Sequence, residues 1–211
     1  MEVEGDPICM SQSALLLTYY ATSYNKLRVN SLWLTHAIRF AQIAHADRFY
    51  EVAKSDRHKH TTLKRLWWGC IVRDRILPLG LRRPTQIREN LLIYDDSRFL
   101  SEEDFEDEMG ASRVHDLVAQ KRLFSVVNLS CRFAEILTPA MVTMYGAEKP
   151  RERTVSTAST LQKQLADVKH HIEELHSWHE HAIKQFPPPV SLDDEPDTLV
   201  IYANLLFIYY E

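Results

Sequence analysis

Lys64-Arg65-Leu66-Trp67-Trp68-Gly69-Cys70-Ile71-Val72-Arg73-Asp74-Arg75, running on to Leu81-Arg82-Arg83-Pro84-Thr85-Gln86-Ile87, is the stretch that decides how this chain folds. Trp67, Cys70 and Ile71 share one face at helical spacing, so the segment reads as a helix with a buried apolar side. Thr61 or Thr62 is its expected cap, and it is expected to end before Gly80. Pro78 falls near that end, where a missing N–H costs less than in mid-helix. Charges that follow an aromatic run on a buried helix must be paired. Asp74 is therefore read as a structural anchor, accepting hydrogen bonds from a neighbouring arginine or from backbone donors. It would fix how the helix meets the 82–87 connection, with Arg83 as a second polar anchor. Arg83 precedes Pro84 and is biased away from helix.

Outward from this helix the pattern stays helical. Ser13 to Tyr24 and Ser31 to Phe49 read as helices, the second with Leu34, Ile38, Ala41 and His45 near one face. Val114 to Met144 is long and apolar on one side, and Pro139 is expected to kink or divide it. From Thr154 to Phe186 the residues Leu161, Leu165, Val168, Ile172, Leu175, Ala182 and Phe186 keep alternating steps of four and three, with His179 in the one gap. Such a seam serves either as an intradomain packing stripe or as a zipper between chains. Pro187-Pro188-Pro189 stops it, an acidic linker follows, and a last helix is expected from near Thr198.

The expected fold is all-α, an irregular bundle of about six to eight helices. Residues 1–211 are read as one helical domain, incomplete at its C-terminal end. Its parts are the N-terminal helices (13–81), an acidic connection (82–112), long helices (113–186), a Pro/acidic linker (187–197) and the start of a further helix (198–211).

Composition removes several classes of function. Five glycines and nine prolines in 211 residues disfavour a turn-rich β fold and leave no phosphate-cradling glycine loop. A net charge of −4 and the lack of a long basic run argue against a surface built to hold DNA by its phosphates. Arg57-His58-Lys59-His60 with Lys64-Arg65 is read instead as a helix N-terminal face. Cys9, Cys70 and Cys131 form no Cys-x-x-Cys pair, and free thiols fit a reducing compartment. Cys70 is read as a buried, inert thiol. No apolar run reaches the length of about 18 residues that a membrane span needs.

Two polar clusters invite chemistry. Ser101-Glu102-Glu103-Asp104-Phe105-Glu106-Asp107-Glu108 packs six carboxylates into eight positions. It reads as an exposed acidic helix start or solvated loop, with Ser101 and Asp104 in a capping arrangement. His170, His171, His176, His179 and His181 share a helix with Glu173, Glu174 and Glu180. Glu173–His176 and His176–His179 have metal-ligand spacing, yet no second Glu-x-x-His exists to complete a di-metal bundle. The cluster is read as a solvated polar face with His179 partly buried; a metal-dependent enzyme using Glu173, His176 and His179 is the weaker alternative. No catalytic residue, cofactor or metal ligand is assigned.

Arg65-Leu66-Trp67-Trp68, Asp74-Arg75 and Leu81-x-Arg83-Pro84-x-x-Ile87 together resemble the signature of the fungal-specific transcription factor domain. This is the middle homology region of fungal binuclear zinc-cluster regulators, here of the cutinase-regulator type. Ala14-Leu15-Leu16-Leu17-Thr18-Tyr19-Tyr20 and Trp33-Leu34-Thr35-His36-Ala37-Ile38-Arg39-Phe40-Ala41 are similar to the helices that precede the signature. Leu175, Trp178 and Pro187 resemble the family's Leu-x-x-Trp before a proline, and Val200 to Leu206 resembles its next helix. Arg82 stands where the family usually has glycine, and Pro78 interrupts the preceding helix.

The resemblance implies a nuclear regulatory module that modulates transcription through a small-molecule effector or a protein partner. The Trp67–Trp68 helix would scaffold a pocket, with Tyr19, Tyr20 and Trp33 in its wall. DNA would be held only through a six-cysteine zinc cluster, which these residues lack. A dimer through 161–186, including a heterodimer with a full regulator, is the other mode of action it leaves open.

Overall fold

A computed structural model describes residues 5–20, 26–53, 55–88, 98–145 and 158–187, together with 200, 203, 204 and 207. Among the described residues the chain is all helical, without strands. It is built from α1 (Pro7–Leu17), α2 (Lys26–Ile43), α3 (Arg57–Leu81), α4 (Leu117–Tyr145) and α5 (Ala158–Gln185). Short 3-10 turns span Ala46–Glu51 and Glu102–Phe105. The all-α class is as expected, but five α-helices stand among the described residues where six to eight were expected. Element boundaries also differ from those expected. The run expected from Ser31 to Phe49 is divided near left-handed His45 (φ 58°), beyond which a 3-10 turn begins. Pro139 lies inside α4 without dividing it. Most of the helix expected from Thr198 lies outside the described residues, although Val200, Ala203, Asn204 and Phe207 are helical.

Capping side chains set the helix starts earlier than the apolar period suggests. Pro7 opens α1 with the Asp6 carboxylate accepting the Ile8 N–H at 3.1 Å, six residues before Ser13. Asp56, not Thr61 or Thr62, caps α3, accepting from the Lys59 N–H at 3.3 Å. Thr61 turns its hydroxyl back onto the His58 carbonyl at 3.0 Å. The far end of α3 runs through Pro78 and Gly80 to Leu81.

There the Arg82 N–H donates to the Leu79 carbonyl and the Arg83 N–H to the Pro78 carbonyl, the paired bonds of a Schellman stop. That stop needs a left-handed residue, and Arg82 supplies it at φ 53°. A Cβ makes this conformation costly, so Arg82→Gly is expected to raise stability by about 0.5–1 kcal/mol. The measurement is the midpoint of a denaturant titration, which should move up with an unchanged slope.

The helices bury two apolar clusters, and α3 runs past both. The first gathers Ala14 of α1, Leu34, Ala37 and Ala41 of α2, Leu63, Leu66, Trp67, Cys70 and Ile71 of α3, and Ile87, Phe99 and Leu100 from the connection. A Cβ on Gly69 would lie 2.9 Å from the Leu15 side chain, so the bare glycine lets α1 settle against α3. The second cluster joins Ile76 of α3 to Leu129, Phe133, Leu137 and Met141 of α4 and to Trp178 and Ala182 of α5, with Phe186 just past the end of α5 and with Ala203 and Phe207.

The seam of α5 is only half covered. Ala182 and Phe186 are buried, whereas Leu161, Leu165, Val168 and Ile172 are 41–59% exposed. One heptad pattern thus packs inside the molecule at its C-terminal end and faces solvent at its N-terminal end.

Candidate functional site

On a helix, consecutive side chains diverge by about 100°, so Arg73, Asp74 and Arg75 reach three different neighbours. Arg73 donates from Nε to the Thr18 hydroxyl at 2.9 Å and from Nη2 to the Thr18 carbonyl at 2.6 Å. Its guanidinium lies 4.1 Å from the Tyr19 ring centre. A cation is thereby set against the C-terminal end of α1, where the helix dipole favours it.

Asp74 and Arg75 are fully buried, with Arg75 Nη1 donating to Asp74 Oδ2 at 2.6 Å. The backbone N–H groups of Gln86 (2.9 Å) and Ile87 (2.8 Å) also donate to the Asp74 carboxylate. Arg75 reaches on, from Nη2 to the Ile87 carbonyl at 3.2 Å and from Nε to the Thr138 hydroxyl of α4 at 2.7 Å. The Thr138 hydroxyl in turn donates to the Ala134 carbonyl at 2.7 Å. Burial pushes the Asp74 carboxyl up to about 6, against the opposing pull of Arg75 and the two backbone donors. At neutral pH the carboxylate is thus ionised and held by donors from two elements. The connection after α3 and the middle of α4 are fastened to α3 through this one ion pair.

A second polar knot lies at the other end of α3. Lys64 Nζ donates to Asp104 Oδ2 at 2.8 Å, with both side chains about 95% buried (5% and 6% exposed). The Ser101 N–H (2.8 Å) and hydroxyl (3.2 Å) donate to the same oxygen, so the expected capping arrangement is present. Arg57 pairs with Glu106 at 2.6 Å and Arg65 with Glu108 at 2.7 Å. The basic run read as a helix face and the acidic run read as solvated are each other's counterions. Their opposite signs were visible in sequence; that they meet was not.

The remaining expected residues are placed as follows. Trp67 is buried in the first cluster, and Trp68 stacks on Phe99 at 4.9 Å while its indole N–H donates to the Arg98 carbonyl at 2.7 Å. Arg83 and Pro84 are exposed beyond the end of α3. The polar anchor at this end is Arg75, not Arg83. Tyr19 and Tyr20 are exposed after α1, and Trp33 is half-buried on α2. A cleft of about 680 Å³ opens between α4 and α5, lined by Phe124, Asn128, Arg132, Trp178, His181 and Gln185 among others, and not by those three aromatics.

Cys70 and Cys131 are buried, and burial pushes each thiol up to about 12, so neither is a nucleophile at neutral pH. Among the described residues no three His, Cys, Asp or Glu side chains gather as a metal-binding group. Nor, among them, is any helix long and apolar enough to cross a membrane.

With this geometry in place, comparison with known proteins gives one family. Residues 2–180 match the family model described as the fungal specific transcription factor domain. The chain is 27% identical over 232 aligned residues to cutinase transcription factor 1 beta of Fusarium vanettenii, covering 99% of this chain and 26% of that protein. It is 36% identical over 87 residues to a transcription factor of Fusarium pseudograminearum (strain CS3096), covering 41% of this chain and 10% of that one. The chain therefore spans about a quarter or less of the curated relatives it matches. No solved structure matches it.

Proposed function

The chain belongs to the fungal-specific transcription factor domain family, and from that membership we propose that it is a regulatory region acting on transcription in the nucleus. It modulates transcription by engaging a partner. The observation that carries this reading is the uncovered half of the α5 seam, where Leu161, Leu165, Val168 and Ile172 stand exposed in heptad register. A helix of a second regulator of this family, laid along that stripe, is the occupant its spacing suits. The α4–α5 cleft offers a place for a small-molecule effector in the same element pair.

DNA contact is assigned to a six-cysteine cluster, which these 211 residues do not contain. Three of the basic residues at the start of α3, Arg57, Lys64 and Arg65, are paired with Glu106, Asp104 and Glu108.

The test joins the chain to a heterologous DNA-binding domain and compares reporter output with that of a Leu165→Glu/Ile172→Glu variant. Both positions are exposed, so the variant keeps its fold. Reporter output is expected to change severalfold, along with the mass of the species recovered in solution from cell extract. Equal output and equal mass for both chains would overturn the reading.

A further inference from the structure

From Pro7 to Leu17, α1 carries no charged residue. A helix without a charged side is ordinarily covered all round. Here the small side chains of Ser11, Ala14 and, just past the helix, Thr18 are buried, while Leu16 (71% exposed) and Leu17 lie in water. Tyr19 and Tyr20, which follow, are exposed as well. Residues 18–25 join α1 to α2, and the Ser11 hydroxyl donates to the Ala37 carbonyl at 2.7 Å. The close of α1 and the opening of α2 therefore share one end of the helix pair. At that end α2 adds Val29 and Leu32, both exposed. So many large apolar and aromatic side chains in one place mark an interaction surface. Tyr19 is a ready anchor, because the Arg73 guanidinium 4.1 Å from its ring centre already orders it.

Charge indicates what the surface receives. Asp and Glu make up 29 of the 211 residues, yet none falls between Asp6 and Asp47. The charged residues of that interval are Lys26, Arg28 and Arg39. Lys26 and Arg28 stand in the first turn of α2, where no acidic residue offsets the positive end of the helix dipole. Arg39 is exposed and lies two turns beyond Leu32 on the same side of α2. An apolar surface bordered by cations and free of carboxylates complements a segment with the opposite border.

From the outward leucines of α1 and this one-sided charge, we propose that the α1–α2 end is a docking surface for an acidic amphipathic helix of another protein. The apolar side of that helix seats against Leu16, Tyr19, Tyr20 and Leu32, and its carboxylates lie toward the opening of α2. A second copy is the poorer fit, since a two-fold contact would set this surface against itself, cation to cation. DNA fits poorly too, because three cations beside an apolar centre neutralise few phosphates. The surface is separate from the α5 stripe and does not depend on it.

The experiment titrates the purified full chain into a fluorescein-labelled helical peptide of about 15 residues, long enough to span α1. Leucines line one side of the peptide and glutamates the other; a twin carries lysine for every glutamate. By anisotropy, the glutamate peptide is expected to bind at least about tenfold more tightly than its twin, with a gap that narrows as salt is raised. Leu16→Ser/Tyr20→Ser should weaken its binding about tenfold and Arg39→Glu severalfold. All three positions are exposed, so the unfolding midpoints of both variants should stay unchanged. Leu165→Glu/Ile172→Glu should bind the peptide as the unaltered chain does. No binding of the glutamate peptide, equal affinity for its twin, or affinity untouched by Leu16→Ser/Tyr20→Ser would overturn the proposal. A dimer lost in Leu16→Ser/Tyr20→Ser, or a preference for phosphatidylserine vesicles over the peptide, would overturn it too, by giving the surface a different occupant.

Discussion

Asp74→Ala is expected to lower the free energy of unfolding by about 3–5 kcal/mol, the cost of breaking a buried ion pair by removing one partner. Three groups lose their partner together. The Arg75 guanidinium, fully buried, cannot shed its proton to escape the loss. The Gln86 and Ile87 N–H groups lose the carboxylate that receives them, and Arg75 loses the fixed orientation that aims Nε at Thr138. Asp74→Asn keeps an acceptor oxygen for one backbone donor and nearly the same volume. It should cost less than alanine, because burial already works against the charged form of this carboxyl. Urea or thermal unfolding of both variants is the measurement, with Arg75→Met and the double variant completing a cycle. The two sites touch, so a coupling above about 1 kcal/mol is expected. A loss below about 1 kcal/mol for Asp74→Ala would mean that the 86–87 connection is held by something other than this carboxylate.

What the sequence made legible follows from what periodicity and charge can express. The face carrying Trp67, Cys70 and Ile71 was readable because three burial-prone residues recur at helical spacing, and all three are buried. Asp74 was readable because a charge on such a face demands partners, and the 82–87 connection was the nearest source of backbone donors. Thr138 was not, since it lies 63 residues from Arg75 and looks like any threonine on a helix. The start of α3 was set too late because Arg57-His58-Lys59-His60 carries no apolar period. The Asp56 cap and the acidic segment opposite hold that turn instead. Lys64 and Asp104 lie 40 residues apart, and only the complementary signs of their neighbourhoods hinted at the meeting. Aromatic character alone could not place Tyr19, Tyr20 and Trp33, because core, surface and pocket wall all use the same side chains.

The α5 seam sharpens that lesson into a second large effect. Phe186→Ala is expected to cost about 3–5 kcal/mol, whereas Leu165→Ala, 21 residues earlier in the same heptad, should stay within about 0.5 kcal/mol. Phe186 is 2% exposed and belongs to the cluster of Phe133, Leu137, Trp178 and Ala182, so alanine there leaves a void among side chains that cannot fully collapse. Leu165 is 59% exposed, and shortening it removes little that folding had buried. Hydrophobic spacing says which side of a helix avoids water; it does not say what covers that side. The same substitutions separate the two uses of the seam. At protein concentrations low enough to keep the chain monomeric, unfolding reads only its intramolecular half. Raising the concentration, or adding a partner regulator, should make Leu165→Ala costly in turn, because ligation of the folded state adds stability by mass action. If Leu165→Ala remains silent at every partner concentration while Phe186→Ala is severe, the exposed half of α5 has no helix to meet.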